Sequence, residues 1–375
     1  MVIDARLQHP ILFPTLLIGT LGSVSLLTVM AYNEYRREKT STYPPAVEEQ
    51  LRLALHYCHV NPDPEASAQY FLEAIKKADE AEMDPFSKEA IGIRIRFAQM
   101  LEDFGHVKAA IEILDSITKD LQQKLTQVDD HLALKSDQAS DDLAKAEERK
   151  ELVKGIIKNK VKVSSLYESD YIQDRTMAKQ TLSDAVALVV KETKDPQLSG
   201  FTDDNGAGLT TGEIAAMLSQ MGDLYATTGE EANAVQVYML TLQPLRSSCN
   251  GTRSCREVQV LSNIASTMGV ALKRPNAKVN GKPATQDALA AGRRAALKWA
   301  DQAIGTAEVV KPEDRDEICD LALLSAQMTR ADLLLENGEK KKSREVFESL
   351  LPTLREKNLV PLIKVAEQGL KTASG

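Results

Sequence analysis

The chain has 375 residues, of which 43% are hydrophobic, 27% charged and 5% aromatic, and it contains 19 Gly, 14 Pro and 4 Cys. Collagen-like, disordered and disulfide-scaffold proteins are excluded, because apolar residues are ample and Gly, Pro and Cys are ordinary in number. The formal net charge is -8, which argues against a nucleic-acid-binding surface, since that normally needs a basic stripe. Few aromatic residues, with abundant Ala, Leu, Lys and Glu, favour an all-α fold.

An uncharged apolar segment lies near the N-terminus. Residues 11–32 contain no charged side chain, and as a helix they would span about 33 Å, enough for a hydrocarbon core of about 30 Å. The stretch is longer than the roughly 7–15 apolar residues of a signal peptide. We therefore expect an uncleaved transmembrane helix between a short segment, 1–10, and a linker, 33–45. Small residues on one face would let another membrane helix approach closely, namely Gly19, Gly22 and Ser23.

A repeated spacing of small, bulky and turn residues follows the linker. The copies are Ala54, Tyr57, Asn61, Ala66 and Tyr70; Ala98, Leu101, Gly105, Ala110 and Leu114; Gly222, Tyr225, Gly229, Ala234 and Tyr238; and Ala331, Leu334, Gly338, Ser343 and Phe347. The small residues let the two helices of a hairpin approach closely, and the bulky last residue fills the groove beside them. The Gly or Asn takes the left-handed turn between the helices. This tetratricopeptide pattern predicts a helical-repeat solenoid over residues 46–375.

Two degenerate copies with inserted loops are expected between the clear ones. They comprise 152–167 with 177–190, and 258–272 with 289–307. The segments 195–212 and 273–283 are rich in Gly, Asn, Asp and Pro and are predicted to be loops. Thr210 and Glu213 have the spacing of a capping box that opens the Gly222 repeat. The amphipathic stretch 359–370 is expected to cover the exposed face of the last repeat.

No catalytic constellation is present in the sequence. It has no Walker loop, no H-E-x-x-H, no G-x-S-x-G and no dinucleotide fingerprint. His56, Cys58 and His59 share the first predicted helix, but a zinc site needs a third or fourth ligand that is not offered nearby. We therefore predict a protein that is not an enzyme, with no cofactor and no metal site.

The four cysteines have two expected roles. Cys249 and Cys255 bracket a short loop, which a disulfide could bridge in an oxidising compartment. Cys58 and Cys319 lie in helical segments and are interpreted as packing residues.

The first helix of each repeat lines the inner surface of a tetratricopeptide solenoid, which is the usual place for extended peptides. The residues predicted to face this groove are Gln99, Asp103, Ser219, Asp223, Met328 and Asp332. Several are acidic and would suit a basic segment, although a solvated polar face is the alternative interpretation. Leu51 and Leu55 stand where chaperone-docking repeats carry a carboxylate clamp, so a cytosolic chaperone receptor is less favoured.

The order of anchor, linker and repeats resembles that of a known family. The motifs that carry the resemblance are YNEYRREK at 32–39, LRLALHY at 51–57, DPEASAQYFLEAIKKADE at 63–80, DPFSKEAIGIRIRFAQMLE at 84–102 and KAAIEILDSI at 108–117. Together they resemble the fungal tetratricopeptide adaptor subunit of the mitochondrial inner-membrane i-AAA protease complex. The similarity is best from about residue 10 to residue 121 and is looser beyond.

The resemblance implies a single-pass inner-membrane protein whose body faces the intermembrane space. There it would bind the hexameric i-AAA protease and a second adaptor subunit, and deliver unfolded protein substrates without catalytic activity of its own. Two other classes stay open. One is an inner-membrane assembly factor for a respiratory complex. The other is a membrane-anchored receptor for import or chaperone partners, which the positive charges at Arg36, Arg37 and Lys39 would suit.

Overall fold

The computed structural model describes residues 42–133, 139–193, 200–275, 277–279 and 282–374. The predicted transmembrane segment 11–32 lies outside these ranges, and so do its proposed packing residues Gly19, Gly22 and Ser23. Within the described ranges, no helix combines the length and the apolar character that crossing a membrane requires.

The described residues are almost entirely α-helical. The helices are α1 (Pro45–His59), α2 (Pro64–Glu80), α3 (Lys88–Asp103), α4 (Val107–Ala133), α5 (Ala139–Glu168), α6 (Arg175–Glu192), α7 (Thr211–Thr227), α8 (Glu231–Ser248), α9 (Cys255–Lys273), α10 (Gln286–Val309), α11 (Glu317–Glu336), α12 (Lys340–Glu356) and α13 (Val360–Ser374). Two short strands, β1 (Lys278–Val279) and β2 (Lys282–Pro283), pair antiparallel within the predicted loop 273–283. The chain divides into two compact units, the first ending at Ile113 and the second beginning at Leu114.

The first helix begins one residue inside the predicted linker. Pro44 is its N-cap and Pro45 its first residue. A proline is tolerated there because the N–H that it lacks would have no partner inside the helix.

Helical hairpins follow one another as the repeat spacing predicts. In the second unit, α5 packs against α6, α7 against α8, α9 against α10 and α11 against α12, so the two degenerate copies are confirmed as hairpins. At the crossing of α7 and α8, an added Cβ on Gly222 would stand 2.4 Å from Cε1 of Tyr238. In the last hairpin, the Ser343 hydroxyl donates a hydrogen bond of 2.7 Å to the Ala331 carbonyl. These contacts explain why the repeat needs small residues at the helix crossing.

The turn glycines of three repeats adopt the predicted left-handed conformation. Gly105, Gly229 and Gly338 have φ of 80°, 81° and 82°, and each ends the first helix of its hairpin. Asn61 was expected to do the same, but it is not among the described residues with positive φ. Instead, the Asp63 side chain accepts a hydrogen bond from the Ala66 N–H and caps α2.

The different turn shifts the second helix of the first repeat by one residue. Ser67 and Phe71 are 0% and 1% exposed, whereas the predicted Ala66 and Tyr70 are only half-buried. The Ser67 hydroxyl donates to the Ala54 carbonyl across the helix crossing, at 3.0 Å. The prediction that Ala66 and Tyr70 fill this crossing is therefore wrong by one position.

The second unit has a series of cores between successive hairpins. The predicted loop before α7 contributes Phe201, Ala207 and Leu209 to the core of α5, α6 and α7, and the predicted capping box of Thr210 and Glu213 opens α7. At the C-terminus, α13 packs on α12 and α11 through side chains next to Phe347, which are Leu359, Leu362, Ile363, Ala366 and Leu370. The expected C-terminal cap is confirmed.

One disulfide joins Cys255 to Cys319, and Cys249 and Cys58 are free. The predicted bridge between Cys249 and Cys255 is therefore wrong, whereas Cys319 is buried in a helix as predicted and is, in addition, disulfide-bonded. Cys255 is the first residue of α9, and its side chain lies in a core cluster with Val258 and Cys319. Cys249, at the end of α8, instead lines a cavity outside this core, so the two neighbouring cysteines face different surroundings.

Candidate functional site

A groove runs along α5, α7 and α9 in the second unit. Its larger cavity, of about 430 Å³, lies where α7, α8 and α9 meet, and its smaller one, of about 240 Å³, lies between α5 and α7. Both are lined by Ala216 and Gln220, so they are two parts of one groove. We call it the α5–α7–α9 groove. The predicted residues Ser219 and Asp223 both line the larger cavity.

Asp223 is the acidic side chain of the larger cavity. Its Oδ1 accepts hydrogen bonds from the Tyr238 hydroxyl at 2.5 Å and from Asn263 Nδ2 at 3.2 Å. Burial raises the pKa of this carboxyl above its ordinary value, and the hydrogen bond from Tyr238 acts in the opposite direction. Burial and the neighbouring Asp223 together raise the pKa of the Tyr238 hydroxyl. Tyr238 therefore remains a neutral donor that fixes the direction of the carboxylate.

The local fold explains why Asp223 can be held in this way. Gly222, the residue before it, leaves room for the Tyr238 ring against the backbone of α7. Tyr238 is only 2% exposed, and its hydroxyl donates to the carboxylate of Asp223, the residue that follows Gly222. The repeat spacing thus places the hydroxyl of Tyr238, whose ring packs at the helix crossing, beside Asp223, whose side chain faces the groove.

Charges along the groove are partly neutralised. In the smaller cavity, Lys158 and Glu213 form an ion pair of 2.8 Å. In the larger cavity the charged lining residues are Asp223 and Arg256, and no described residue of opposite charge pairs with either. Arg256 donates only a long hydrogen bond, 3.4 Å, to Gln259.

The sequence prediction missed the α9 side of the groove. Arg256, Gln259, Val260 and Asn263 contribute its polar and apolar atoms. They follow the spacing i, i+3, i+4 and i+7, which places them on one helical face. This spacing was the available signal, but groove residues were predicted only for the clear repeats, and α9 belongs to a degenerate one.

In the last repeat the predicted groove residues have other roles. Met328 is 6% exposed and packs in the core with Phe347, so its assignment to the groove is wrong. Its long apolar side chain fills the helix interface, where flexible thioethers pack well. Asp332 binds the ammonium group of Lys273, which also contacts Glu336 at 3.0 Å. It is therefore neutralised within the chain.

In the first unit the two predicted residues lie outside the cavity that forms there. Gln99 is exposed and accepts a hydrogen bond from Arg96 at 2.9 Å, and Asp103 is exposed as well. The first unit does have a cavity of about 370 Å³. It is lined by Tyr43, Leu51, Leu55, His59, Phe71, Gly92, Ile93 and Arg96. Neither Gln99 nor Asp103 belongs to it.

One group of potential metal ligands occurs among the described residues. It consists of Cys255, Asp316 and Cys319, whose donor atoms lie within 4.8 Å of one another. The two sulfur atoms are already joined in the disulfide, and Asp316 accepts a hydrogen bond from the Cys319 N–H as the N-cap of α11. The arrangement is therefore explained by covalent and capping roles.

Comparisons with known proteins find matches of low similarity among solved structures. No family model and no curated protein matches it. Among solved structures it is similar to a kinesin-light-chain-type protein of Podosopora anserina with nearly identical TPR-like repeats, at 12% identity and a TM-score of 0.41, over 71% of this chain and 94% of that one. BtubC of P. vanneervenii is similar at 10% identity and a TM-score of 0.41, over 88% and 91%.

The yeast Sti1 TPR2AB domain, solved in complex with pHSP90, is similar at 13% identity and a TM-score of 0.29, over 88% of this chain and 98% of that one. Likenesses this weak carry no argument about function. The assignment of helical repeats rests on the hairpins, the turn glycines and the helix crossings of this chain.

Proposed function

We propose that the protein is a non-catalytic adaptor that binds extended segments of unfolded proteins and presents them to a membrane-bound AAA protease. The observation that carries this proposal is the continuous α5–α7–α9 groove. Its half-buried amide side chains, such as Gln220 and Gln259, line the groove and can pair with the N–H and C=O groups of an extended polypeptide. Small side chains such as Ala216 leave room for its backbone.

The more specific proposal names the protease and the compartment. We propose the hexameric i-AAA protease of the mitochondrial inner membrane and a second adaptor subunit as partners, with residues 11–32 as the anchor and the repeats in the intermembrane space. The sequence motifs before residue 121 support this identity. The Cys255–Cys319 disulfide supports an oxidising compartment, since cytosolic thiols are kept reduced. Sharing the membrane with the protease would raise the effective concentration of captured substrate.

A substitution that fills the groove tests the proposal. Ala216 is exposed and lines both cavities, so Ala216→Arg should obstruct the groove without disturbing a core. Tagged full-length protein is isolated from mitochondria in mild detergent, and its partners are quantified by mass spectrometry. We expect the wild-type protein to recover the protease together with unfolded substrates. The variant should keep the protease and lose about tenfold in substrate, the effect of roughly 1.4 kcal/mol of binding free energy.

The matched control is Ala232→Arg, an exposed position on α8 that lines neither cavity of the groove. It should keep both the protease and the substrates. Recovery of respiratory subunits or cytosolic chaperones, with no protease, would contradict the adaptor role. Undiminished substrate recovery by Ala216→Arg would exclude this groove as the binding surface.

A further inference from the structure

We infer that the larger cavity of the groove selects a lysine or arginine side chain of the bound segment, with Asp223 as the specificity-determining residue. This inference rests on the proposed function, and it adds the chemical class of side chain that the groove prefers. The occupant is an extended segment of a partner protein whose ammonium or guanidinium group contacts Asp223.

The first argument is the unbalanced charge of a well-fixed carboxylate. Tyr238 and Asn263 both donate to Oδ1 of Asp223, so the group cannot turn freely. Neither bond involves Oδ2, and no lysine or arginine of the described chain pairs with Asp223. Asp223 is open to solvent on its groove side, and a carboxylate whose direction is already fixed gains most from a cation that makes a charge-assisted hydrogen bond. A partner's basic side chain supplies that group.

The second argument comes from the equivalent position of the last repeat. Asp332 follows Ala331 in the repeat just as Asp223 follows Gly222, and both lie on the first helix of their hairpins. The ammonium group of Lys273 binds Asp332 there. The chain therefore demonstrates, within itself, that a carboxylate at this repeat position binds a lysine side chain.

The third argument concerns the cavity around the carboxylate. Its apolar lining includes Ala215, Leu245 and Val260, which suit the methylene stem of a lysine or arginine while the charged head reaches the carboxylate. Asn263, which contacts Asp223, and Arg256 are seven positions apart on α9, about 10 Å along a helix axis. Arg256 forms no ion pair with Asp223 and donates to Gln259 instead. Its positive charge would orient the segment with the segment's own basic side chain at the Asp223 end.

The test compares one unfolded probe in two charge states. The probe is a reduced and carboxymethylated, lysine-rich protein with few arginines, labelled with a fluorophore, before and after acetylation of its lysines. Acetylation removes the charge of each ammonium group and leaves the chain unfolded. Binding to the full-length protein in detergent is measured by fluorescence anisotropy. We expect the wild-type protein to bind the unacetylated probe about fivefold more tightly, which is the effect of one accessible charge pair.

Asp223→Asn removes the charge but keeps the oxygen that accepts the Tyr238 hydrogen bond, so the fold should persist, as circular dichroism can verify. This variant should bind both probes equally. The control, Asp332→Asn, should retain the fivefold preference, because Asp332 already binds Lys273. Equal binding of the two probes by the wild-type protein would overturn the inference and leave the proposed function standing. Failure of the wild-type protein to bind either probe would overturn both.

Discussion

Gly222 packs against the Tyr238 ring so closely that a residue with a Cβ would not fit there without rearrangement. In most helix interiors alanine is more stable than glycine by about 1 kcal/mol. Here the added methyl group would lie 2.4 Å from Cε1 and 2.6 Å from Cδ1 of Tyr238, and the ring is held by its hydrogen bond to Asp223. We predict that Gly222→Ala lowers the free energy of unfolding by about 1–3 kcal/mol, the cost of overpacking a filled interface, as measured by urea denaturation.

Gly305 provides the matched control for this substitution. It lies inside α10, and an added Cβ there would meet no atom within 4 Å. Gly305→Ala should therefore stabilise the protein by about 0.5–1 kcal/mol through helix propensity alone. If both variants shift stability in the same direction, the close approach of α7 and α8 does not decide the effect.

Single residues also mark how far the sequence could predict the site. Ser219 and Asp223 line a cavity on the predicted face of α7, because a clear repeat fixes which face of that helix turns inward. The same spacing misplaced Met328, since a long apolar side chain can bend into the helix interface where a serine cannot. The pairing of Asp332 with Lys273 was not predictable, because the lysine comes from α9, 59 residues earlier in the chain.

Among the helices, α4, α5 and α6 are joined through a single arginine. Arg149 of α5 makes two hydrogen bonds to Glu192 of α6, at 2.7 and 2.9 Å, and one of 2.6 Å to Asp129 of α4. The Glu192 side chain is only 9% exposed. The hydrogen bonds from Arg149 hold the pKa of Glu192 below its ordinary value. Removing the guanidinium would leave a largely buried carboxylate without its cation.

We predict that Arg149→Met lowers the free energy of unfolding at pH 7 by about 2–4 kcal/mol, slightly less than the roughly 3–5 kcal/mol for a fully buried pair, because the Arg149 side chain is 24% exposed. Because the pKa of Glu192 is lower in the folded than in the unfolded protein, its stabilising contribution is fully present above the unfolded pKa of about 4.3 and is lost as pH falls through the folded value. The difference between variant and wild type should therefore shrink below about pH 4, as urea denaturation over a pH series would show.

An exposed arginine serves as the comparison. Arg344 pairs with Glu348 one turn along α12, and both side chains are about half exposed. Arg344→Met should cost no more than about 0.5 kcal/mol at pH 7, as for other solvent-exposed helix pairs. If Arg149→Met and Arg344→Met lowered the free energy of unfolding equally, the burial of Glu192 would not explain the effect of Arg149→Met.

The hairpins themselves were largely predictable, because small residues and turn glycines recur at fixed spacing. The first hairpin deviates by one residue since Asp63 caps α2 instead of a left-handed Asn61 ending α1. The loop before α7 was recognised from its composition. Its packing was not, because Gln243 of α8, which accepts from the Phe201 N–H and donates to the Phe201 carbonyl, lies 42 residues further along the chain.

For the whole molecule, the disulfide is the strongest constraint between distant parts of the chain. Cys255 and Cys319 are 64 residues apart and join the beginning of α9 to that of α11. We predict that Cys319→Ser lowers the free energy of unfolding by about 4 kcal/mol, the loop-closure effect of a cross-link of this span. Thermal unfolding with and without reductant measures it, since reductant should lower the wild-type melting temperature and leave that of the variant unchanged.

Cys249→Ser is the control, because the Cys249 thiol is free. It should melt like the wild-type protein, and its response to reductant should be the same. Peptide mapping of the non-reduced protein should recover Cys255 linked to Cys319. A linkage between Cys249 and Cys255 would contradict the structure.

The internal pair of Lys273 with Asp332 and Glu336 has an evolutionary consequence. While the ammonium group of Lys273 binds these carboxylates, a cation from another molecule would find no unpaired negative charge there. A single nucleotide change can turn a lysine codon into one for methionine, threonine or asparagine, and two acidic side chains would then be vacant. Loss of this one lysine would therefore change the charge of two helices at once, because it would leave the carboxylates of Asp332 and Glu336 without their cation.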